Sequence, residues 1–228
     1  MNDVAIMETS FLTVRPFPYV VMENFLDSDT VARINSEWPD SAGWTAHNHG
    51  HSAKRGIQDW EAFGPATRDT LQRLNGAEFV EVLGVISGIS GLSADDSLVG
   101  GGLHETFRDG FLGIHADFNI HPETRLFRRL NLLLYLNEGW KPEWGGALEL
   151  WDREKTGCQV RIEPIAGRCV VFATSTASFH GHPEPLACPP DRSRRSIALY
   201  YYSAEPPDEE TREHSTLYLG DEDHWFAR

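Results

Sequence analysis

The sequence predicts a mainly β domain, an antiparallel sandwich or barrel with N-terminal helices packed on one outer face. Two patterns predict it. The first third of the chain carries apolar residues at helical spacing, whereas from about Ser97 the chain falls into short strand-like runs separated by turn residues. In two of these later runs one face is aliphatic and the other is mixed and polar. A polar-lined interior indicates a cavity that holds a ligand rather than a filled core.

The composition indicates a folded, acidic protein with one structural domain. The 228 residues fit one structural domain, and 40% hydrophobic residues with 11% aromatic residues are enough for a packed core. The chain has 34 Asp and Glu against 20 Lys and Arg, a formal net charge of −14. Long-range repulsion from such a surface opposes binding to nucleic acid and to anionic membranes, so we expect neither as a partner.

The cysteines indicate a reducing compartment. Cys158, Cys169 and Cys188 are odd in number and show no CxxC spacing, which disfavours a disulfide framework and a zinc knuckle. No apolar run approaches the roughly 20 residues of a membrane helix. The N-terminus, with Asp3 and Glu8, lacks the pattern of a signal peptide. We therefore expect a cytoplasmic protein.

The segment 1–96 is predicted to hold helices and one short strand that pack on the core. The strand is expected at Pro16–Val21. Asp27 or Ser28 caps a first helix, which ends at about Trp38 before Pro39. Two more helices are predicted, at Thr67–Asn75 and Ala77–Ile86, with Gly76 as the break between them.

The stretch Gly43–Gly64 is predicted to be a loop. It contains glycines and three alternating histidines, His47, His49 and His51. These histidines could bind a second metal or shape a substrate lid, but we interpret the stretch as a solvated polar loop.

The segment 97–205 is predicted to be the β core, and the acidic tail 206–228 either folds over it or remains mobile. All three segments are expected to form one structural domain. The core strands are expected at Phe111–His115, Leu130–Leu136, Gly146–Trp151, Val160–Glu163, Arg168–Ala173 and Arg194–Ser203.

Side-chain alternation along two of these strands predicts the orientation of their faces. One strand places Leu130, Leu132 and Leu134 on one face, and Arg129, Asn131, Leu133 and Tyr135 on the other. The last strand places Arg194, Ser196, Ala198, Tyr200 and Tyr202 on one face, and Arg195, Ile197, Leu199 and Tyr201 on the other. We expect the aliphatic faces to pack against the helices and the polar faces to line the cavity.

A possible metal site begins at His115-Ala116-Asp117. The histidine ends a predicted strand and the carboxylate follows two residues later, so both can bind one metal. His180 follows another predicted strand and a short loop, and His182 is an alternative two residues later. Two imidazoles and one carboxylate with no thiolate suit Fe(II) and leave positions open for a co-substrate and O2.

The start of the last strand offers a site for a carboxylate. Arg194 and Ser196 are two residues apart on one face and can bind one carboxylate through a guanidinium and a hydroxyl. Arg195 is an alternative, but its face carries Ile197 and Leu199, so we prefer Arg194.

These motifs together resemble one enzyme family. The motifs are His115-Ala116-Asp117, the run from Arg129 to Asn137, Trp144-Gly145-Gly146 and the residues to Leu150, His180, and Arg194-Arg195-Ser196. In this order the sequence resembles the prolyl 4-hydroxylase-like group of the 2-oxoglutarate/Fe(II) dioxygenase superfamily. The resemblance implies a double-stranded β-helix, a jelly-roll or cupin-like fold.

The resemblance also implies roles for individual residues. It implies that His115, Asp117 and His180 bind iron and carry the catalysis with O2. It implies that Arg194, with Tyr135 and Ser196, binds the distal carboxylate of 2-oxoglutarate, and we add Asn131 to this set. The expected reaction is hydroxylation of an unactivated C–H bond with release of succinate and CO2. A small-molecule or amino-acid-derived substrate is the first expectation, a peptidyl hydroxylase the second, and a non-catalytic metal-binding β-barrel the third.

Four polar residues near the metal motif are predicted to contact substrate. They are His104, Asn119, His121 and Arg129. The three arginines that follow the motif, Arg125, Arg128 and Arg129, could meet an acidic substrate or form ion pairs at a strand end. The oligomeric state is not predicted.

Overall fold

The fold is described from a computed structural model that covers residues 11–40, 43–47, 51–209 and 211–220. The three predicted N-terminal helices are confirmed as α1 (Ser28–Ser36), α2 (Pro65–Asn75) and α3 (Ala77–Ser87). Asp27 caps α1, because its carboxylate accepts a hydrogen bond of 2.8 Å from the Thr30 amide. No helix in the described ranges is both long and apolar enough to cross a membrane.

The remainder of the described chain is mainly strand. In chain order the strands are β1 (Tyr19–Met22), β2 (Thr45–His47), β3 (His51–Ile57), β4 (Ser93–Ala94), β5 (Gly102–Ala116), β6 (Phe127–Tyr135), β7 (Leu148–Trp151), β8 (Cys158–Ile162), β9 (Cys169–Ala173), β10 (His180–His182), β11 (Arg194–Ser203) and β12 (Leu217–Tyr218). Short 3-10 turns lie at Trp60–Ala62 and Pro142–Trp144.

The strands form one antiparallel sheet that curls on itself. Its main order is β1-β9-β6-β11-β5-β10-β7-β8, with β3 and β12 also paired to the long strand β5. One end of β5 pairs with β11 and the other end pairs with β10 and β12, while β3 pairs along β5 from Leu103 to Leu112. The predicted double-stranded β-helix is confirmed, and β5 is the strand that joins its two walls.

The predicted orientation of the two amphipathic strands is confirmed. The leucine face of β6 packs with the aliphatic face of β11 in the main core, together with buried residues of the helices. These residues include Leu132, Ile197, Val31, Leu71 and Leu83, each about 1% exposed or less. Burial of these apolar side chains stabilises the sheet and turns its polar face toward the interior of the curl.

The predicted loop at Gly43–Gly64 is wrong in part, because the chain forms β2 and β3 there. The strand β3, His51-Ser-Ala-Lys-Arg-Gly-Ile57, has no apolar alternation. It is held instead by backbone pairing with β5, from His51 opposite Leu112 to Ile57 opposite Leu103. Such long-range pairing leaves no local sequence pattern. His49 and the side chains of His47 and His51 lie outside the described part of the chain.

The strand predicted at Phe111–His115 is longer than expected and begins at Gly102. The polar residues and glycines in its first half do not show the alternation of apolar and polar side chains that predicts a strand. Glu105 is 2% exposed there because Arg55 of β3 and Arg195 of β11 both bind its carboxylate. Ion pairing therefore adds to the apolar burial of Leu103 in this half of β5.

Candidate active site

The three predicted metal ligands meet at one end of the curled sheet. His115 lies near the end of β5, and His180 begins β10, directly opposite His115 in the backbone pairing. Asp117 follows the last residue of β5. Gly181 allows the two strands to approach, since a Cβ there would lie 2.7 Å from the carbonyl oxygen of Gly113.

The ligand atoms of these three side chains all lie within 4.8 Å of one another. The Nε2 atom of His115 is 3.4 Å from Oδ1 of Asp117, and the Nε2 atom of His180 is 3.4 Å from Oδ2. The two imidazole rings are 4.4 Å apart between centroids. His182, the alternative ligand, lines the same cavity but is not part of this group.

Each imidazole has a defined orientation. The Nδ1 atom of His115 is 2.8 Å from the carbonyl oxygen of Gly113, and that of His180 is 2.9 Å from the carbonyl oxygen of Ser178. A neutral imidazole donates from Nδ1 to such a carbonyl and keeps the lone pair on Nε2 for a metal. Burial, with help from His115, lowers the pKa of His180 to about 4, so this ring is neutral at physiological pH.

Two residues of β6 hold the carboxylate of Asp117. Nη2 of Arg128 donates to Oδ2 of Asp117 at 3.0 Å, and Nδ2 of Asn131 donates to the same oxygen at 2.7 Å. Nε of Arg128 donates to Oδ1 of Asn131 at 2.8 Å. Burial alone would raise the pKa of Asp117, but the charge of Arg128, together with His180 and a hydrogen bond from His115, holds it well below its ordinary value. Asp117 is therefore an anion with a fixed direction.

A cavity of about 180 Å³ opens beside this group. Its described lining combines the three ligands with cations, aromatic rings and a few apolar side chains. The principal lining residues other than the ligands are Lys54, His104, Phe118, Arg128, Asn131, Leu133, Leu148, His182, Arg194, Ser196, Tyr200, Thr216 and Tyr218.

Arg194 lies on the cavity wall and is 6% exposed. Its Nε donates to the carbonyl oxygen of Gly146 at 2.8 Å, and Nη2 is 3.4 Å from the hydroxyl of Tyr135. No carboxylate among the described residues pairs with this guanidinium, whereas Arg195, on the opposite face, binds Glu105 and packs on Trp38. Of Arg194 and Arg195, Arg194 is thus the one that faces the cavity, with Ser196 in the same lining.

Of the other two predicted 2-oxoglutarate contacts, Asn131 lines the cavity and Tyr135 does not. Tyr135 is fully buried next to Arg194 and acts on that side chain rather than lining the cavity. Asn131 lines the cavity, but its amide is already bonded to Asp117 and Arg128. The geometry gives Asn131 a supporting role for the carboxylate ligand.

Among the four predicted substrate contacts, His104 lines the cavity. The other three bond elsewhere: Asn119 to the backbone of residues 212 and 214, His121 to Asp95, and Arg129 to Ser203 and the carbonyl of Glu205. The geometry therefore gives these three side chains structural partners away from the cavity.

A β-bulge explains why Arg128 rather than Arg129 faces the site. Leu130 pairs with Tyr201, but Tyr202, the next residue of β11, pairs with Arg128 and not with Arg129. Arg129 is therefore an extra residue of β6 at this point. The bulge reverses the alternation and turns Arg128 to the same face as Tyr202. The sequence predicts arginines near this strand end but contains no signal for the bulge.

The described part of the tail folds over the domain. The strand β12 pairs with the end of β5, with Leu217 opposite Ala116 and Tyr218 opposite His115. The Tyr218 ring lies 5.3 Å from the His115 ring, and Thr216 also lines the cavity. Of the two alternatives for the tail, folding over the domain is confirmed for residues 211–220.

The residues present fit a metal and a dicarboxylate ligand. Two imidazoles and an oriented carboxylate, with no cysteine among them, form a donor set suited to Fe(II). The buried guanidinium of Arg194 on the cavity wall lacks an anionic partner among the described residues, and a bound carboxylate would supply one.

Residues 101–202 match the family model described as the 2OG-Fe(II) oxygenase superfamily. This segment contains all of the predicted metal ligands and all of the predicted 2-oxoglutarate contacts. No curated protein matches the chain by sequence.

Solved structures show the same fold at low sequence identity. A prolyl-4-hydroxylase from Pseudomonas putida has a TM-score of 0.58 and 18% identity, covering 87% of this chain and 99% of its own. A prolyl hydroxylase from Trichoplax adhaerens in complex with a hypoxia inducible factor peptide fragment has a TM-score of 0.64 and 16% identity, covering 89% and 91%. HygX from Streptomyces hygroscopicus, with nickel, 2-oxoglutarate and hygromycin B bound, has a TM-score of 0.52 and 12% identity, covering 95% and 96%.

Proposed function

We propose that this chain is a 2OG-Fe(II) oxygenase, the family whose model matches residues 101–202, and that it hydroxylates a small-molecule or amino-acid-derived substrate. The predicted cofactors, Fe(II) and 2-oxoglutarate with O2, are those of the superfamily. The observation that carries the proposal is the convergence of His115, Asp117 and His180 beside a cavity whose wall bears Arg194.

When bound, Fe(II) and 2-oxoglutarate supply the chemistry that activates O2 and hydroxylates a C–H bond, with release of succinate and CO2. The chain supplies orientation. His115 and His180 present Nε2, since their Nδ1 atoms are bound to backbone carbonyls. Arg128 and Asn131 fix the direction of the Asp117 carboxylate.

The opposite wall of the cavity positions the co-substrate. We assign Arg194 and Ser196 to its distal carboxylate, with Tyr135 as a positioning residue because its hydroxyl lies beside Nη2 of Arg194. The apolar side chains of Phe118, Leu133 and Leu148 exclude water from the reacting centre.

The position of the tail strand supports a small substrate over a peptide. The strand β12 pairs with the end of β5 and contributes Thr216 and Tyr218 to the cavity lining, so it covers part of the entrance beside His115. A peptidyl hydroxylase is the second candidate, and it is favoured by the likeness in fold to two prolyl hydroxylases, one of them bound to a peptide. A metal-binding β-barrel without catalysis is the third.

Anaerobic titration tests the proposal without knowledge of the substrate. Wild-type protein with Fe(II) and 2-oxoglutarate should give the visible charge-transfer band of the chelated co-substrate. His115→Ala and Asp117→Ala should abolish the band, whereas His182→Ala should retain it. A band that survives in His115→Ala, or is lost in His182→Ala and not in His180→Ala, contradicts the ligand assignment.

Turnover then separates the three candidates. Release of succinate in air should accelerate with the true substrate, so free amino-acid derivatives and peptides are compared at equal concentration. Acceleration by peptides alone would favour the peptidyl hydroxylase. A band without any succinate release would favour the non-catalytic barrel.

A further inference from the structure

Two neighbouring rows of side chains cross the strands β3, β5 and β11, and both rows carry two cations. In the first, which we name the outer row, Arg55 and Arg195 pair with Glu105 from either side. The Glu105 carboxylate is 2.5 Å from Nη2 of Arg55 and 3.1 Å from Nε of Arg195. The two positive charges of the outer row thus share one buried anion.

The next row along the strands, which we name the cavity row, has no such anion. Lys54 and Arg194 both pair with Thr106, which is buried and neutral. Because successive residues of a strand point to opposite faces, this row faces away from the outer row and toward the cavity. Both Lys54 and Arg194 line that cavity.

The two cations of the cavity row are unfavourable neighbours without a ligand. Burial lowers the pKa of Lys54 to about 8, and repulsion from Arg194 adds to this effect. The Lys54 amine has no hydrogen bond or ion pair within the described part of the chain. Among the described residues that line the cavity, the one carboxylate is that of Asp117. It already accepts hydrogen bonds from Arg128 and Asn131.

We propose that Lys54 is a second cation of the 2-oxoglutarate site, and that its amine and the Arg194 guanidinium bind the distal carboxylate from two sides. The carboxylate then takes the place in the cavity row that Glu105 holds in the outer row. The inference rests on the proposed function and adds to it a residue from outside the segment that matches the family. Lysine suits this position as a compact charge beside the fork of an arginine.

The test compares two ligands on anaerobic, Fe(II)-loaded protein. One ligand is 2-oxoglutarate, and the other is 2-oxopentanoate, which has a methyl group in place of the distal carboxylate. Lys54→Met should weaken 2-oxoglutarate on the order of tenfold to a hundredfold by calorimetry, as expected for loss of a charged hydrogen bond. The affinity of the variant for 2-oxopentanoate and for Fe(II) should equal that of wild type.

Three further variants complete the design. Lys54→Arg should restore most of the affinity for 2-oxoglutarate, and Arg194→Met should lose at least as much as Lys54→Met. Lys141→Met, at an exposed lysine that is not part of the cavity lining, is the matched control and should bind as wild type does. Without ligand, Lys54→Met should unfold at no lower temperature than wild type, because it removes a repulsive charge.

The outcomes distinguish this inference from the proposed function. If wild type does not bind 2-oxoglutarate, both are overturned. If wild type binds and Lys54→Met binds equally well, Lys54 is not part of the co-substrate site and the inference is overturned. An equal loss of both ligands also overturns the inference, since it would place Lys54 at the keto-acid end.

Discussion

Arg128 lies directly against Asp117, with Nη2 3.0 Å from Oδ2, and its side chain is 1% exposed. Its guanidinium also lies over the Tyr200 ring, 3.3 Å from the centroid. Burial would lower the pKa of Arg128, but Asp117 and the nearby tyrosines raise it, so the charge is permanent. A buried cation of this kind orients a ligand rather than merely neutralising it.

Replacement of Arg128 should weaken metal binding. Arg128→Met leaves Asp117 buried without its ion partner, which costs about 3–5 kcal/mol of unfolding free energy. Loss of an outer-shell partner should lower the affinity for Fe(II) or Ni(II) about 10- to 100-fold. Calorimetric metal titration and urea unfolding measure the two effects.

The adjacent arginine provides the control. Arg129 bonds Ser203 and the carbonyl of Glu205 outside the cavity, so Arg129→Met should keep the wild-type metal affinity. An equal loss of metal affinity in both variants would show that Arg128 acts through general stability and not through Asp117.

Gly146 is predicted to position Arg194. Its φ is +77°, and an added Cβ would lie 2.7 Å from Cδ2 of Leu186 and 2.9 Å from Cδ of Arg194. Gly146→Ala should therefore displace the guanidinium and weaken 2-oxoglutarate binding by about tenfold or more, the loss expected for one charged hydrogen bond.

Gly139→Ala is the matched control for Gly146→Ala. Gly139 has a similar φ of +62°, with nothing within 4 Å of an added Cβ. Both variants incur the strain of a left-handed alanine, about 1–2 kcal/mol. Calorimetry should find reduced 2-oxoglutarate affinity in Gly146→Ala alone, and equal affinities in both variants would refute the positioning role.

Glu105 should make the free energy of unfolding depend on pH in the acid range. Burial favours a higher pKa for its carboxyl, but Ser193, Arg55 and Arg195 together lower it below the ordinary value. A depressed native pKa means that the stabilisation is present above the unfolded pKa of about 4.3 and is lost as pH falls through the native value. The unfolding free energy should thus decline as the pH is lowered from about 5.

Glu105→Gln isolates this contribution. The variant keeps the shape but removes the charge between two arginines, so it should cost about 1–3 kcal/mol at pH 7. Its unfolding free energy, measured in urea at several pH values, should fall less steeply in acid than that of wild type. Parallel curves for the two proteins would show that Glu105 does not carry the effect.

The sequence by itself determined the elements whose stability is local or repetitive. The start of the first helix at Asp27 or Ser28 is visible from its capping residues. The leucine alternation of β6 and the whole of β11 are visible because side chains alternate with the period of a strand. The same alternation predicted the cavity face and favoured Arg194 over Arg195. The family resemblance carried by the motifs then implied the group of His115, Asp117 and His180, with His180 preferred to His182.

Tertiary structure alone decided the features that depend on partners distant along the chain. The strand β3 exists because β5 pairs with it, and the bulge in β6 is set by its register against β11. These two features bring Lys54 and Arg128 to the cavity. The alternation along one segment predicts which side chains share a face of the strand. It does not predict which charged groups lie next to them, because those groups come from neighbouring strands that pair only in the folded sheet.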